Sequence, residues 1–209
     1  MNSNSASIEF YKSIASNISD VKDVKLLPTN DNTHYDIELI KKFSGSNLID
    51  LGSGTGLIVN NLIDDFEKIT AVELFKEFSQ YIVSDTNIRV VHENLLTFTS
   101  KKKYDLATMF GVAHYFNSDE SLQIYNNVFN LLNEDAIFIL KNQFGVEKTK
   151  TVTHSEELGS NYFAQYRELY FEIERLKQIG FHDIEVIDIY PSEANRWDDT
   201  HFYALVCHK

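Results

Sequence analysis

Four residues at alternate positions, Asp50, Gly52, Gly54 and Gly56, carry the clearest chemistry in the chain. They close the apolar run 48–51, and after Gly56 the residues Leu57, Ile58, Val59, Leu62, Ile63 and Phe66 recur at helical spacing. That is a strand, a tight turn and a helix. Glycine in such a turn admits φ > 0 and removes the Cβ that would keep a ligand off the backbone. Seventeen residues past Gly56, Glu73 ends the next apolar run. A carboxylate at the carboxyl end of a second strand can accept both hydroxyls of a ribose. At the end of a third run stand Glu93, Asn94 and Leu95, where a polar side chain can pair with an adenine amino group. The three sites together describe a pocket for a nucleoside.

The same spacing excludes two common nucleotide sites. The dinucleotide fingerprint Gly-x-Gly-x-x-Gly, started at Gly52, meets Leu57 in place of its third glycine; started at Gly54, it meets Val59. An NAD-dependent oxidoreductase is therefore disfavoured. The phosphate-binding loop fails too, for want of Gly-Lys-Ser/Thr.

These residues need a scaffold, and apolar periodicity supplies one. Residues 1–45 read as two helices joined by turn chemistry at 28–32; Ile8, Tyr11, Ile14, Ala15 and Ile18 mark the first, and the second runs from about Thr33 to near Gly45. Strands are expected at 48–51, 68–74, 88–92, 104–110 and 136–141, with helices at about 57–66, 75–84 and 118–132 between them. Asn117 or Ser118, followed by Asp119 and Glu120, is a start signal for the last. Alternating strands and helices imply right-handed crossovers and a parallel sheet covered on both faces. A long helix is expected over 161–179, with Tyr162, Tyr166, Leu169, Tyr170, Ile173 and Leu176 as its stripe and Gly180 as its cap. Two further strands, 184–190 and 202–208, flank a long polar loop. No linker or repeat interrupts the pattern, so one domain is expected over 1–209: a helical cap at 1–45 and a core at 46–209.

Composition narrows the function classes. The net charge of −12 over 209 residues repels nucleic acid backbones, and no basic stripe offsets it. Lys101, Lys102 and Lys103 read as a solvated loop before a strand. No apolar run approaches the ~20 residues of a membrane span, and the N-terminus lacks the pattern of a secretory signal. A single cysteine, Cys207, cannot form an internal disulfide, so a cytoplasmic protein is expected. One cysteine and seven scattered histidines offer no metal-ligand spacing.

From about residue 33 to the C-terminus, this order of motifs resembles the class I S-adenosylmethionine-dependent methyltransferases. Their first motif matches residues 49–56, their ribose acid matches Glu73, and their fourth-strand segment matches residues 104–115. Asn94 stands where the family usually has Asp, and Asn133 to Asp135 replace the usual Pro-Gly before the fifth strand. The resemblance implies an α/β, Rossmann-like seven-stranded sheet, mostly parallel with an antiparallel last strand. It implies S-adenosyl-L-methionine as cofactor, held by Asp50, Gly52, Ser53, Gly54, Gly56, Glu73, Leu74, Asn94 and Leu95. Phe110 and Gly111 would stand beside the sulfonium, the following helix would offer its N-terminus to the methionine carboxylate, and His34 and Tyr35 would close over the cofactor.

Methyl transfer is an in-line displacement in which orientation is the largest gain, and a base adds roughly 10²–10⁴-fold for a hydroxyl or a protonated amine. His114, just after the fourth strand, is read as that base or as a packing histidine, with Tyr115 sharing the role by hydrogen bonding. Asn142 and Gln143 are expected to face the same crevice. For the acceptor, Arg167 is read as a contact or as a paired arginine among core aromatics. Arg196 and Trp197 are read as a grip on an anionic or sugar-like acceptor, or as a structural loop. The segment 190–203 also looks similar to methyltransferases of bacterial sugars and surface-polysaccharide precursors. The expected function is therefore O- or N-methylation of a small soluble acceptor, with no nucleic acid or membrane partner. The alternative is a non-catalytic nucleoside sensor on the same fold.

Overall fold

The computed structural model describes residues 3–21, 32–43, 45–155 and 160–209. Apart from Asn32, the expected joint at 28–32 lies outside them. Nine strands are described: β1 (Asn47–Leu51), β2 (Lys68–Val72), β3 (Ile88–Val91), β4 (Tyr104–Phe110), β5 (Leu132–Gly145), β6 (Lys150–Ser155), β7 (Ser160–Tyr166), β8 (His182–Asp188) and β9 (Thr200–His208). Five helices accompany them: α1 (Ser3–Ala15), α2 (Thr33–Lys41), α3 (Lys76–Ser79), α4 (Ser118–Leu131) and α5 (Leu169–Ile179). Seven strands form one sheet in the order β3-β2-β1-β4-β5-β9-β8, while β6 and β7 pair separately. β1 to β5 run parallel, and β9 is antiparallel to both β5 and β8. This is the Rossmann-like methyltransferase arrangement that the resemblance implies.

The strands are apolar on both faces because both faces are covered. On one side Ile49, Leu51, Ala107, Met109, Phe138 and Leu140 pack against Tyr125 and Val128 of α4 and Leu176 of α5. On the other, Leu48, Ile69, Leu106 and Ile139 pack against Leu39 and Ile40 of α2. α4 starts as its residues dictate: Asn117 Oδ1 accepts from the Glu120 amide at 2.9 Å, and Glu120 Oε2 accepts from the Asn117 amide at 2.9 Å. Gly180 ends α5 at φ 123°. No helix among the described residues is long and apolar enough to cross a membrane.

Three expected helices differ. Residues 57–66 form successive tight turns with one 3₁₀ turn, Val59–Asn61, and no α-helix. Asn60 and Asn61 spend their side chains on the Tyr81 and Leu57 carbonyls, the backbone competition that makes Asn a poor helix former. Val59, Leu62 and Phe66 still reach the core, so the apolar spacing reported burial rather than helix. No α-helix N-terminus therefore faces a ligand there. The helix at 75–84 shrinks to α3. The helix at 161–179 splits into β7 and α5. Tyr162 and Tyr166 fit a period of four, but buried Ala164 between them reveals a period of two, and tyrosine favours strands. The fifth strand extends to Gly145, pairing with β9 from Ile137 to Gly145.

Candidate active site

A cavity of about 320 Å³ opens at the carboxyl ends of β1 to β5, beneath α1. Its floor is the glycine turn. Gly52 (φ 81°), Gly54 (φ 54°) and Gly56 (φ 85°) all adopt the left-handed region. The Gly52 and Ser53 amides both donate to the Val72 carbonyl, at 2.8 and 3.1 Å, and Ser53 Oγ donates to the Asp50 carbonyl at 3.0 Å. A Cβ on Gly52 would lie 2.5 Å from Val112 Cγ2. Gly52→Ala should therefore cost roughly 1–2 kcal/mol for the backbone conformation alone, plus the clash. Thermal melts should show Gly52→Ala well below wild type, and Gly52→Ala/Val112→Ala regaining only the part due to the clash.

Glu73 and Asp50 are buried carboxyls on this floor, 7% and 2% exposed. Glu73 Oε2 accepts from the Gly54 amide and Oε1 from the Phe75 amide, each at 2.9 Å. Asp50 Oδ1 accepts from Thr108 Oγ1 at 2.7 Å, across the register that pairs Asp50 with Thr108. Burial lifts both carboxyls above their ordinary range against these hydrogen bonds, which pull the other way. Leu74, Asn94 and Leu95 continue the lining. Asn94 Oδ1 accepts from the Leu96 amide, and its Nδ2 donates to Asn4 of α1, both at 2.9 Å.

The other end of the cavity belongs to Phe110, Gly111, Lys141, Asp36 and Tyr190. Lys141 sits opposite Phe110 in the β4–β5 register. Its Nζ lies 3.1 Å from Asp36 Oδ2 and donates to Tyr190 Oη at 2.8 Å, and Tyr190 Oη donates to Asp36 Oδ2 at 2.7 Å. Above the cavity, Tyr11 of α1 meets Tyr115 hydroxyl to hydroxyl, and Ser7 Oγ is 3.2 Å from the Tyr115 and Phe163 carbonyls.

Most expected nucleoside contacts line this cavity, as do Phe110, Gly111 and Tyr115; Gly56 and Tyr35 do not. Gly56 packs tightly against Asn60 and Ile82. Tyr35 is 37% exposed and lies against His34, with ring centroids 4.0 Å apart. His114 also stays out. Its Nδ1 is 2.8 Å from Asn142 Oδ1, its ring stacks on Tyr166 at 5.2 Å, and burial holds its pKa down at about 4. The turn after β4 aims this ring at the β6–β7 hairpin, which the sequence reading took for part of a helix. Asn142 is buried behind His114, and Gln143 donates to Thr200 Oγ1 at 2.6 Å.

Of the two readings of Arg167, the structure takes the paired arginine and not the acceptor contact. It is 1% exposed, bonded to Glu172 at 2.7 Å and to the Phe116 and Ala113 carbonyls at 2.8 and 3.0 Å. It braces the turn that carries Tyr115 and does not line this cavity. Arg196 reaches Tyr162 Oη at 3.1 Å and lies over the Trp197 ring at 4.6 Å, while Trp197 abuts Tyr166 at 5.1 Å. Both pack on the hairpin rather than in the cavity. The residues the sequence reading missed are Asn4, Tyr11, Asp36, Lys141 and Tyr190. Lys141 had a legible signal, a lone lysine ending the apolar run 136–140.

Comparison with known proteins agrees with this geometry. Residues 48–135 match the family model of a methyltransferase domain. A SAM-dependent methyltransferase from Leishmania major superposes with TM-score 0.79 at 14% identity, covering 99% of this chain and 83% of that one. The 1,6-didemethyltoxoflavin-N1-methyltransferase of Burkholderia thailandensis, solved with 1,6-didemethyltoxoflavin and S-adenosylhomocysteine, gives TM-score 0.74 at 16% identity over 98% and 90% of the two chains. Ribosomal RNA small subunit methyltransferase A of Mesomycoplasma hyopneumoniae is 25% identical over 130 residues, 59% of this chain and 49% of that protein, so the match spans about half that relative's length. Residues 48–135 thus match a methyltransferase domain, and the chain as a whole has the Rossmann-like fold of the class I S-adenosylmethionine-dependent methyltransferases.

Proposed function

We propose that this chain is an S-adenosylmethionine-dependent methyltransferase that transfers the methyl group to the oxygen or nitrogen of a small acceptor held beneath α1. The observation that carries the reading is the covered cavity with a buried acid at one end and a Cβ-free turn as its floor. In this reading Glu73 accepts the ribose hydroxyls of S-adenosylmethionine. Asn94 and Leu95 flank the adenine, and the glycine turn lets the methionine portion approach the backbone. When bound, the cofactor supplies an electrophilic methyl carbon on a sulfonium. The chain's part is to align the acceptor against Phe110 and Gly111, exclude water and receive the acceptor's proton.

A cavity of this size suits a small molecule, and the relative named for 1,6-didemethyltoxoflavin is consistent with that. A sugar or surface-polysaccharide precursor remains the finer preference from segment 190–203, and a cytoplasmic location accompanies it. An RNA acceptor, which one relative's name suggests, is opposed by the net charge of −12. Calorimetry should find S-adenosylhomocysteine binding in the micromolar range; no binding at tens of micromolar ends the cofactor reading. Labelled S-adenosylmethionine incubated with separated small-molecule and RNA fractions should mark the first. Label in the RNA alone overturns the small acceptor, and cofactor binding without transfer to either fraction favours the sensor.

A further inference from the structure

The roof of the cavity holds a proton that nothing among the described residues takes. Tyr11 of α1 and Tyr115, in the turn after β4, meet hydroxyl to hydroxyl. Two phenols carry two O–H protons, and the bond between them uses one. Neither oxygen has a further hydrogen-bond partner among the described residues. One O–H is therefore left over, whichever of the two donates. Burial holds both phenols above their ordinary range, so both keep their protons at neutral pH.

The pair is placed for a ligand. Both side chains line the cavity, and both are partly exposed. The rings packed edge-on against Tyr11, those of Phe10 and Phe78, offer no oxygen or nitrogen to a donor. The pair is also held in position. Its own rings lie 4.9 Å apart at 73°. Ser7 Oγ lies 3.2 Å from the Tyr115 carbonyl, and Asn4 on the same helix accepts from Asn94 at 2.9 Å. Sheet order sets Tyr115 apart from the proposed nucleoside contacts. Glu73 follows β2 and Asn94 follows β3, whereas Tyr115 follows β4, across β1 from both and a few residues past Phe110. The leftover proton thus belongs to the Phe110 side, where the proposed acceptor is aligned.

Resting on the methyltransferase reading, we infer that the Tyr11–Tyr115 pair donates this hydrogen bond to a lone-pair oxygen or nitrogen of the methyl acceptor. It thereby selects acceptors that carry a carbonyl, an ether or a ring nitrogen on the side facing α1. The pair orients the acceptor; it takes no proton from it and forms no bond to the methyl carbon. Either hydroxyl can serve. If Tyr11 donates to Tyr115, Tyr115 reaches the acceptor, and the reverse arrangement does the same work from Tyr11. Removing one hydroxyl frees the other, so losing the contact requires losing both.

Acetophenone and α-methylstyrene probe this on the protein loaded with S-adenosylhomocysteine, since a carbonyl oxygen in one replaces a methylene of the same shape in the other. α-Methylstyrene leaves water more readily, so the quantity read is the ratio of the two affinities. Tyr11→Phe and Tyr115→Phe each break the bond between the hydroxyls but leave one O–H, and their ratios should stay within about twofold of wild type. Tyr11→Phe/Tyr115→Phe keeps both rings and has neither O–H, and its ratio should fall roughly fivefold against acetophenone. An unchanged ratio in the double variant overturns the inference while the methyltransferase reading stands. So does an equal fall in both single variants and the double, which makes the tether between α1 and Tyr115 the cause rather than the O–H. Failure of both probes to bind loaded wild type at millimolar concentration also overturns it, because the roof then leaves no room for an acceptor beneath it. If the double variant alone binds S-adenosylhomocysteine more than about tenfold less tightly, the proton belongs to the cofactor and the inference is wrong. Failure of wild type to bind S-adenosylhomocysteine removes the methyltransferase reading, and the inference falls with it.

Discussion

Glu73→Gln is expected to weaken S-adenosylhomocysteine binding by roughly 10–100-fold and to leave thermal stability within about 1 kcal/mol of wild type. The affinity estimate rests on two hydroxyls donating to an ionised acceptor, each such bond being worth about 1.5–3 kcal/mol. The stability estimate balances two effects. Glutamine relieves the burial that dominates Glu73's raised pKa, but its amide nitrogen must face one of the two amides, Gly54 or Phe75, that now donate to the carboxylate. The pH dependence has a definite sign. A carboxyl whose folded pKa is raised binds its proton more readily folded than unfolded. Glu73 therefore favours the fold at low pH, and that contribution is lost as pH rises through the folded value. Relative to Glu73→Gln, wild type should gain stability as pH falls through that range. Its cofactor affinity should drop over the same range, because the protonated acid no longer accepts from both hydroxyls. Calorimetry at several pH values checks this, and an affinity equal to wild type's would remove Glu73 from the ribose.

The end of the cavity proposed for the nucleoside was legible because it is local. Asp50, the glycine turn and Glu73 lie within 24 residues, and each occupies the end of a strand whose apolar run is plain. Their chemistry depends on backbone geometry that sequence encodes directly, as glycine at φ > 0 does. The other end of the cavity was not legible because it is assembled. Asp36 comes from α2, Lys141 from β5 and Tyr190 from the segment after β8, and no local pattern links positions 36, 141 and 190. The polarity of a residue is visible in sequence; the partner it meets is a property of the packed cavity. His114 takes the packing alternative and not the base for a related reason. Its distance from the fourth strand was right, but its direction depended on a hairpin that a four-residue tyrosine spacing disguised as a helix. The cap over the site was half legible: α1 appeared as a periodic helix, but its contacts through Asn4 and Tyr11 join residues 90 and 104 positions apart.

The brace behind Tyr115 should give the largest loss of stability in the chain. Arg167 and Glu172 form a fully buried pair, 1% and 0% exposed at the side chain. Tyr125 Oη also donates to Glu172 Oε1 at 2.5 Å. Arg167→Met leaves the Glu172 charge without its cation, which typically costs about 3–5 kcal/mol. At about 2–4 °C per kcal/mol for a chain of this length, the melting temperature should fall by roughly 6–20 °C. Arg167→Met/Glu172→Leu removes both charges, and buried pairs replaced by apolar residues are often neutral in stability. The double variant should therefore recover most of the loss. It should not recover cofactor binding in the same measure. Arg167 also donates to the Ala113 and Phe116 carbonyls, which hold the turn on either side of Tyr115, and both variants lack those bonds. Melting curves and S-adenosylhomocysteine titrations on the two proteins separate the contributions. Stability should return with the second substitution, while affinity stays several-fold below wild type because Tyr115, and through it α1, has lost its support. If affinity returns together with stability, Arg167 acts on the site only through the fold.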